Sequence, residues 1–95
     1  MIRHIVMFSA KRPEDIETIH QGLKLLQGIP AAQCLEVSHN QKTDQLGNEI
    51  DVVVYGEFAD EKALAEFKAH DLYQQSIGIV RPLRELRVAA DYEVP

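Results

Sequence analysis

Ninety-five residues, 45% hydrophobic and 26% charged, suffice for one modest core and not for two, so residues 1–95 are read as a single folded domain. No run approaches the roughly 18 uninterrupted apolar residues of a membrane helix, and the net charge of −5 with scattered Lys and Arg argues against nucleic acid, which needs a basic excess to release counterions. Cys34 is the sole cysteine, which excludes an internal disulfide and an all-cysteine metal site.

The start, MIRHIVMFSAKRPED, holds only a short apolar stretch and no small-residue cleavage pattern. It is read as a first strand and not as a secretion signal, and the expected location is the cytoplasm. IRHIVMF (2–8) is almost continuously apolar and rich in strand formers, the pattern of a central strand buried on both faces. Pro13 suits the first position of a helix, Glu14 and Asp15 complement the positive end of its dipole, and Ile16, Ile19, Leu23 and Leu26 repeat on one face. QGIP closes that helix, because Gly28 can take a left-handed cap and Pro30 cannot continue. QCLEVSHN (33–40) alternates as a second strand with Leu35 and Val37 on one side, and a polar loop leads to a third, DVVVYGEF (51–58). Asp60 is a good N-cap for a second helix that turns Ala63, Leu64 and Phe67 inward, with the spacing resuming through Tyr73, Ile77 and Val80. RELRVAADYEV (84–94) supplies the fourth strand, and the arginines of RPLRELR (81–87), interleaved with Glu85, read as a solvated rim.

The order β-α-β-β-α-β gives an α+β, ferredoxin-like fold: an antiparallel four-stranded sheet with both helices on one face. Simple alternation sends His4, Val6, Val52 and Val54 to one side and Ile5, Met7, Val53 and Tyr55 to the other. Both faces are therefore apolar while two helices shield only one. A second copy packed on the open sheet face resolves the conflict, so a homodimer is expected.

Several stretches together resemble the stress-responsive A/B barrel (Dabb) family over essentially the whole chain. They are MIRHIVMFS at the start, IP after the first helix, DVVVYGEFADEKALAEFKAH in the second half and VRPLRELRVAADYEV at the end. The resemblance implies a dimeric α/β barrel and a family whose bacterial members mostly lack an assigned reaction. Plant members include a small polyketide cyclase that performs an intramolecular aldol condensation between helices and sheet. Carried over by position, the resemblance matches His4 to the histidine on the cyclase's first strand. It likewise matches His70 to the first histidine of the segment after the second helix, and Asp91 to an aspartate before the final tyrosine. The acid–base histidine is replaced by Tyr73, the proline of that segment by Asp71, and the pocket tyrosine of the first helix by Gly22.

The residues themselves point to the same place. Ala63, Phe67 and His70 share a helical face toward the sheet, and His4 lies on a central strand that borders the same gap. His4, His70, Tyr73 and Asp91 are thus the candidate catalytic residues. An imidazole oriented by a carboxylate can move protons without a covalent nucleophile. The plainer alternative makes both histidines core residues with one satisfied hydrogen bond each and Tyr73 a buried ring with a wet hydroxyl, since fold resemblance does not establish chemistry. His20 and His39 fall on different elements and Cys34 has no second ligand, so no metal or cofactor is expected. Three functions stay open: a small dimer of unassigned biochemical role that holds a small apolar or aromatic molecule, a cofactor-free cyclase- or isomerase-like enzyme, and a purely structural, stress-protective oligomer.

Overall fold

The computed structural model describes residues 1–95. In chain order it contains β1 (Ile2–Ala10), α1 (Ile16–Lys24), β2 (Cys34–His39), β3 (Val52–Phe58), α2 (Glu61–Ala69), α3 (Asp71–Val80) and β4 (Arg84–Glu93). Short 3-10 turns at Pro13–Asp15 and Leu25–Gly28 lead into and out of α1. The strands form one antiparallel sheet in the order β2-β3-β1-β4, the ferredoxin-like arrangement. β1 runs past the expected 2–8 to Ala10, because Ser9 and Ala10 still pair with Leu86 and Arg84 and the Ala10 amide donates to Asp51 at 2.8 Å.

The two-residue period of the strands decides what lies where. Ile2, His4, Val6 and Phe8 of β1 are buried under the helices, as are Val52, Val54 and Phe58 of β3. Ile19, Leu23 and Leu26 arrive from α1, and Leu64 and Phe67 from α2. Phe58 and Phe67 are fully enclosed and meet edge to face at 4.9 Å, an arrangement that aligns the positive ring edge with the neighbouring π-face.

The second helical run ends at Ala69 and the spacing expected to resume through Tyr73 does so as a separate helix, with His70 at the corner. His70 is extended (ψ 147°), and its Nδ1 accepts the Leu72 amide proton at 3.1 Å, which ends α2 and caps α3. The corner lets α3 lie against α1. The helices approach so closely at Gly22 that a Cβ there would stand 2.7 Å from Ile79 Cγ2.

On the far side of the sheet no helix covers the strands. Met7 pairs with Val88 and Ile5 with Ala90, so Ile5, Met7, Val53, Leu86 and Val88 form an apolar band; Met7 is 39% and Val88 49% exposed. Toward one end the band becomes polar: the Tyr55 hydroxyl donates to Glu57 at 2.5 Å, and Arg3 stands over the Tyr92 ring. That hydrogen bond, with desolvation second, pushes the Tyr55 phenol above its ordinary range.

Because Phe67 joins α2, the sheet and the aromatic contacts, Phe67→Ala should lower unfolding free energy by about 3–5 kcal/mol in denaturant melts. A loss below 1 kcal/mol would mean that this cluster does not organise the core.

Candidate functional site

Between the helix-covered face of the sheet and helices α1 and α3 lies a cavity of about 220 Å³. His4, Val6, Phe8 and Val54 line it from the sheet, Leu23 and Leu26 from the α1 side, and Tyr73, Ser76 and Ile77 from α3. His4 and Ser76 are almost completely buried, whereas Arg81 and Arg87 are exposed, so the enclosed part is mostly apolar and the arginine side opens to water.

His4 and Asp91 are direct cross-strand partners on β1 and β4, and their side chains lie on the same face, His4 buried against the cavity and Asp91 partly exposed beside it. His4 Nδ1 is hydrogen-bonded to Asp91 Oδ1. A carboxylate accepts, so in the neutral ring Nδ1 carries the proton and Nε2 keeps its lone pair. Phe58 and Phe67 meet the imidazole at steep angles, 6.1 and 6.3 Å between centroids, and restrict its rotation. Tyr73 packs on Phe67 at 5.5 Å and lines the same cavity. The arrangement offers an oriented imidazole base and a tyrosine that borders the same largely apolar space, residue types sufficient for proton transfer at a carbon beside a carbonyl.

Of the four candidates, His4, Asp91 and Tyr73 come together and His70 does not. His70 spends its Nδ1 on the cap of α3 and borders a separate hollow with Ile29, Pro30, Ala31 and Glu66. The expectation that His70 shares the gap with His4 is corrected by this local competition: a side chain that caps a helix cannot also point under it. The absence of a tyrosine at Gly22 has an equally local reason, since Ile79 occupies the space a larger side chain would need.

Two features escaped the sequence reading. The arginines of RPLRELR border the cavity and not only a solvated rim. Arg84 and Arg87 are three apart, a spacing that in a regular strand puts side chains on opposite faces. The pairing shifts between Ser9–Leu86 and Ala10–Arg84, which leaves Glu85 as an extra residue and restores Arg84 to the face of Arg87. Second, the fold brings His20 and His39 together although they lie on different elements. Their rings stack at 4.1 Å, and Glu17 approaches His39 Nε2 at 3.3 Å and His20 Nδ1 at 3.6 Å. The hydrogen bond from Gln21, and then the two imidazoles, hold the Glu17 carboxyl below its ordinary value. One ligand atom from each of Glu17, His20 and His39 lies within 4.8 Å of the others, but lone pairs lie in the ring plane, and two stacked rings hold theirs in nearly parallel planes, a poor geometry for converging on one ion.

The family model for the stress-responsive A/B barrel domain, Dabb, matches residues 2–94. The chain belongs to the Dabb family. Solved structures agree on the fold. A dimeric ferredoxin-like protein of unknown function from Jannaschia sp. CCS1 is 19% identical, with a TM-score of 0.85 and 98% of each chain covered. A Dabb family protein with a ferredoxin-like fold from Mesorhizobium loti is 23% identical, with a TM-score of 0.78, covering 99% of this chain and 95% of that one. A proposed antibiotic biosynthesis monooxygenase from Nitrosomonas europaea is 17% identical, with a TM-score of 0.81, covering 99% and 98%. At these identities the likeness shows the fold alone. No curated protein matches the chain at a significant level.

The Dabb site carries one direct spectroscopic consequence. A long-range ¹H–¹⁵N spectrum should show the neutral His4 ring with its proton on Nδ1, and Asp91→Asn should produce a tautomer mixture. A ring protonated on Nε2 in the wild type would remove the assigned base.

Proposed function

We propose that this Dabb chain forms a homodimer through the open face of its sheet and holds a small apolar or aromatic molecule between helices and sheet, against His4. The observation that carries the ligand reading is the cavity itself: a largely apolar, half-enclosed space with a few polar groups on its wall, the usual anatomy of a small-molecule site. Its volume is below the roughly 300 Å³ at which drug-sized sites begin, so the ligand is a compact one. Support for the dimer comes from the uncovered band around Met7 and Val88, and from the Nε of Arg3, which is enclosed on that side without a hydrogen-bond partner and is left for an acceptor from a second copy. Solved proteins of the same fold are described as dimeric.

The His4–Asp91 pair favours a second reading, a cofactor-free enzyme of the cyclase or isomerase kind in which His4 Nε2 removes a proton beside a carbonyl and Tyr73 donates to the developing enolate. Asp91 would be the positioning residue for the ring.

One compound separates the two. 2-Tetralone, a compact aromatic ketone, should shift amide signals at Val6, Phe67, Tyr73 and Ile77 in a titration of ¹⁵N-labelled protein; unchanged spectra at millimolar ketone would sink the ligand reading. Deuterium uptake at the ketone's α-carbon should exceed buffer and fall about 100-fold in Asp91→Asn if His4 is a base, and should equal buffer if the site only binds. Light scattering should report about twice 10.8 kDa at micromolar concentration, and Val88→Asp should return the monomer mass.

A further inference from the structure

We infer that the molecule taken up by the cavity carries an oxyanion, a carboxylate or a phosphate on a small apolar body, gripped at the open side by Arg81, Arg84 and Arg87. This rests on the reading that the cavity binds a small molecule and specifies which class.

Three independent placements bring these arginine residues to one rim. Arg81 follows the last turn of α3, Arg87 follows the strand period of β4, and Arg84 joins them because of the extra residue at Glu85. Without that bulge Arg84 would project to the open face. Bulges beside sites commonly re-aim one side chain in this way. Structural duties do not account for the three groups. The ion pairs of the chain use Met1, His4, Arg12, His20, His39 and Lys42 as their cationic partners, and none of the three arginines. Nor do the guanidiniums supply the end of α3: the Ile77 and Val80 carbonyls already accept the backbone amides of Arg81 and Leu83. Asp91, two residue pairs further along the same face, is engaged by His4.

The chain as a whole has a net charge of −5, so a rim of three unpaired cations is a local reversal of the overall field. Like charges are not gathered at no cost, and an oxyanion between them relieves their mutual repulsion. Guanidinium forks match the paired oxygens of carboxylates and phosphates. A ligand with its anion at this rim would place its apolar body in the cavity and its far end toward His4. The same geometry favours compact acids over neutral hydrocarbons, which would leave the arginines facing bare water.

The test compares three probes with one ring system: 2-naphthoate, 2-naphthyl phosphate and neutral 2-naphthamide, each titrated by calorimetry against the full chain. At least one oxyanion should bind about 10-fold or more tightly than the amide, the tighter of the two naming the acid. The double variant Arg84→Gln/Arg87→Gln should bring that ratio to within about 2-fold, while a thermal melt and amide spectrum matching the wild type show that the variant is folded. Equal affinities for all three probes would overturn the inference and leave the apolar site standing. A preference that persists in the double variant would overturn the role of the arginines. Failure of every probe, 2-tetralone included, would overturn both this inference and the ligand reading beneath it.

Discussion

A single helical layer covers a sheet whose central strands are apolar on both faces. In β1 the period of two separates Ile2, His4, Val6 and Phe8, which go under the helices, from Ile5 and Met7, which do not. A slip of one residue in the pairing of β1 would exchange the two sets, exposing His4 and burying Met7 beneath α1. The same alternation therefore places the candidate base in an enclosed space and creates the band that a second copy would cover. Site and proposed interface are opposite sides of one strand, and the sheet between them is what both rest on.

The site gains its order from the most regular part of the molecule. His4 and Asp91 sit on neighbouring strands as direct partners, and two aromatic rings flank the imidazole, Phe58 from β3 and Phe67 from α2, so the pair is held by sheet register and not by a loop. Sites on such rigid elements hold their geometry better than sites on connections. The one irregularity nearby, the extra residue at Glu85, changes only which face Arg84 occupies. A largely apolar, half-enclosed interior with a cationic rim is the result. The interior provides apolar contact and a proton acceptor, and the rim provides charge.

Much of the fold was legible from spacing alone. The alternation of IRHIVMF and DVVVYGEF assigned the two faces correctly, Ile19, Leu23 and Leu26 are buried as their helical period required, and Asp60 does cap α2, accepting the Ala63 amide at 2.8 Å. These features depend on neighbours in sequence. What was hidden depends on contacts that spacing does not encode. His70 looked inward because it shares the helical spacing of Ala63 and Phe67, whereas its ring is taken by a local competition in which the side chain accepts a backbone amide and caps the next helix. Arg84 looked outward because a bulge belongs to a strand pair and not to one strand. Glu17, His20 and His39 meet only because α1 crosses the far end of β2. Asp91 was already grouped with His4 through the family resemblance, but their direct pairing depends on the β1–β4 register, which spacing alone leaves open between several alignments.

The two-sided role of β1 is tested most directly by isotope-filtered NMR on a sample mixed from labelled and unlabelled chains. Intermolecular contacts should appear at the methyl groups of Ile5, Met7 and Val88 and be missing at Val6 and Val54, which face the cavity. Intermolecular contacts confined to the outer surfaces of α2 and α3, with Met7 and Val88 touching water alone, would contradict it.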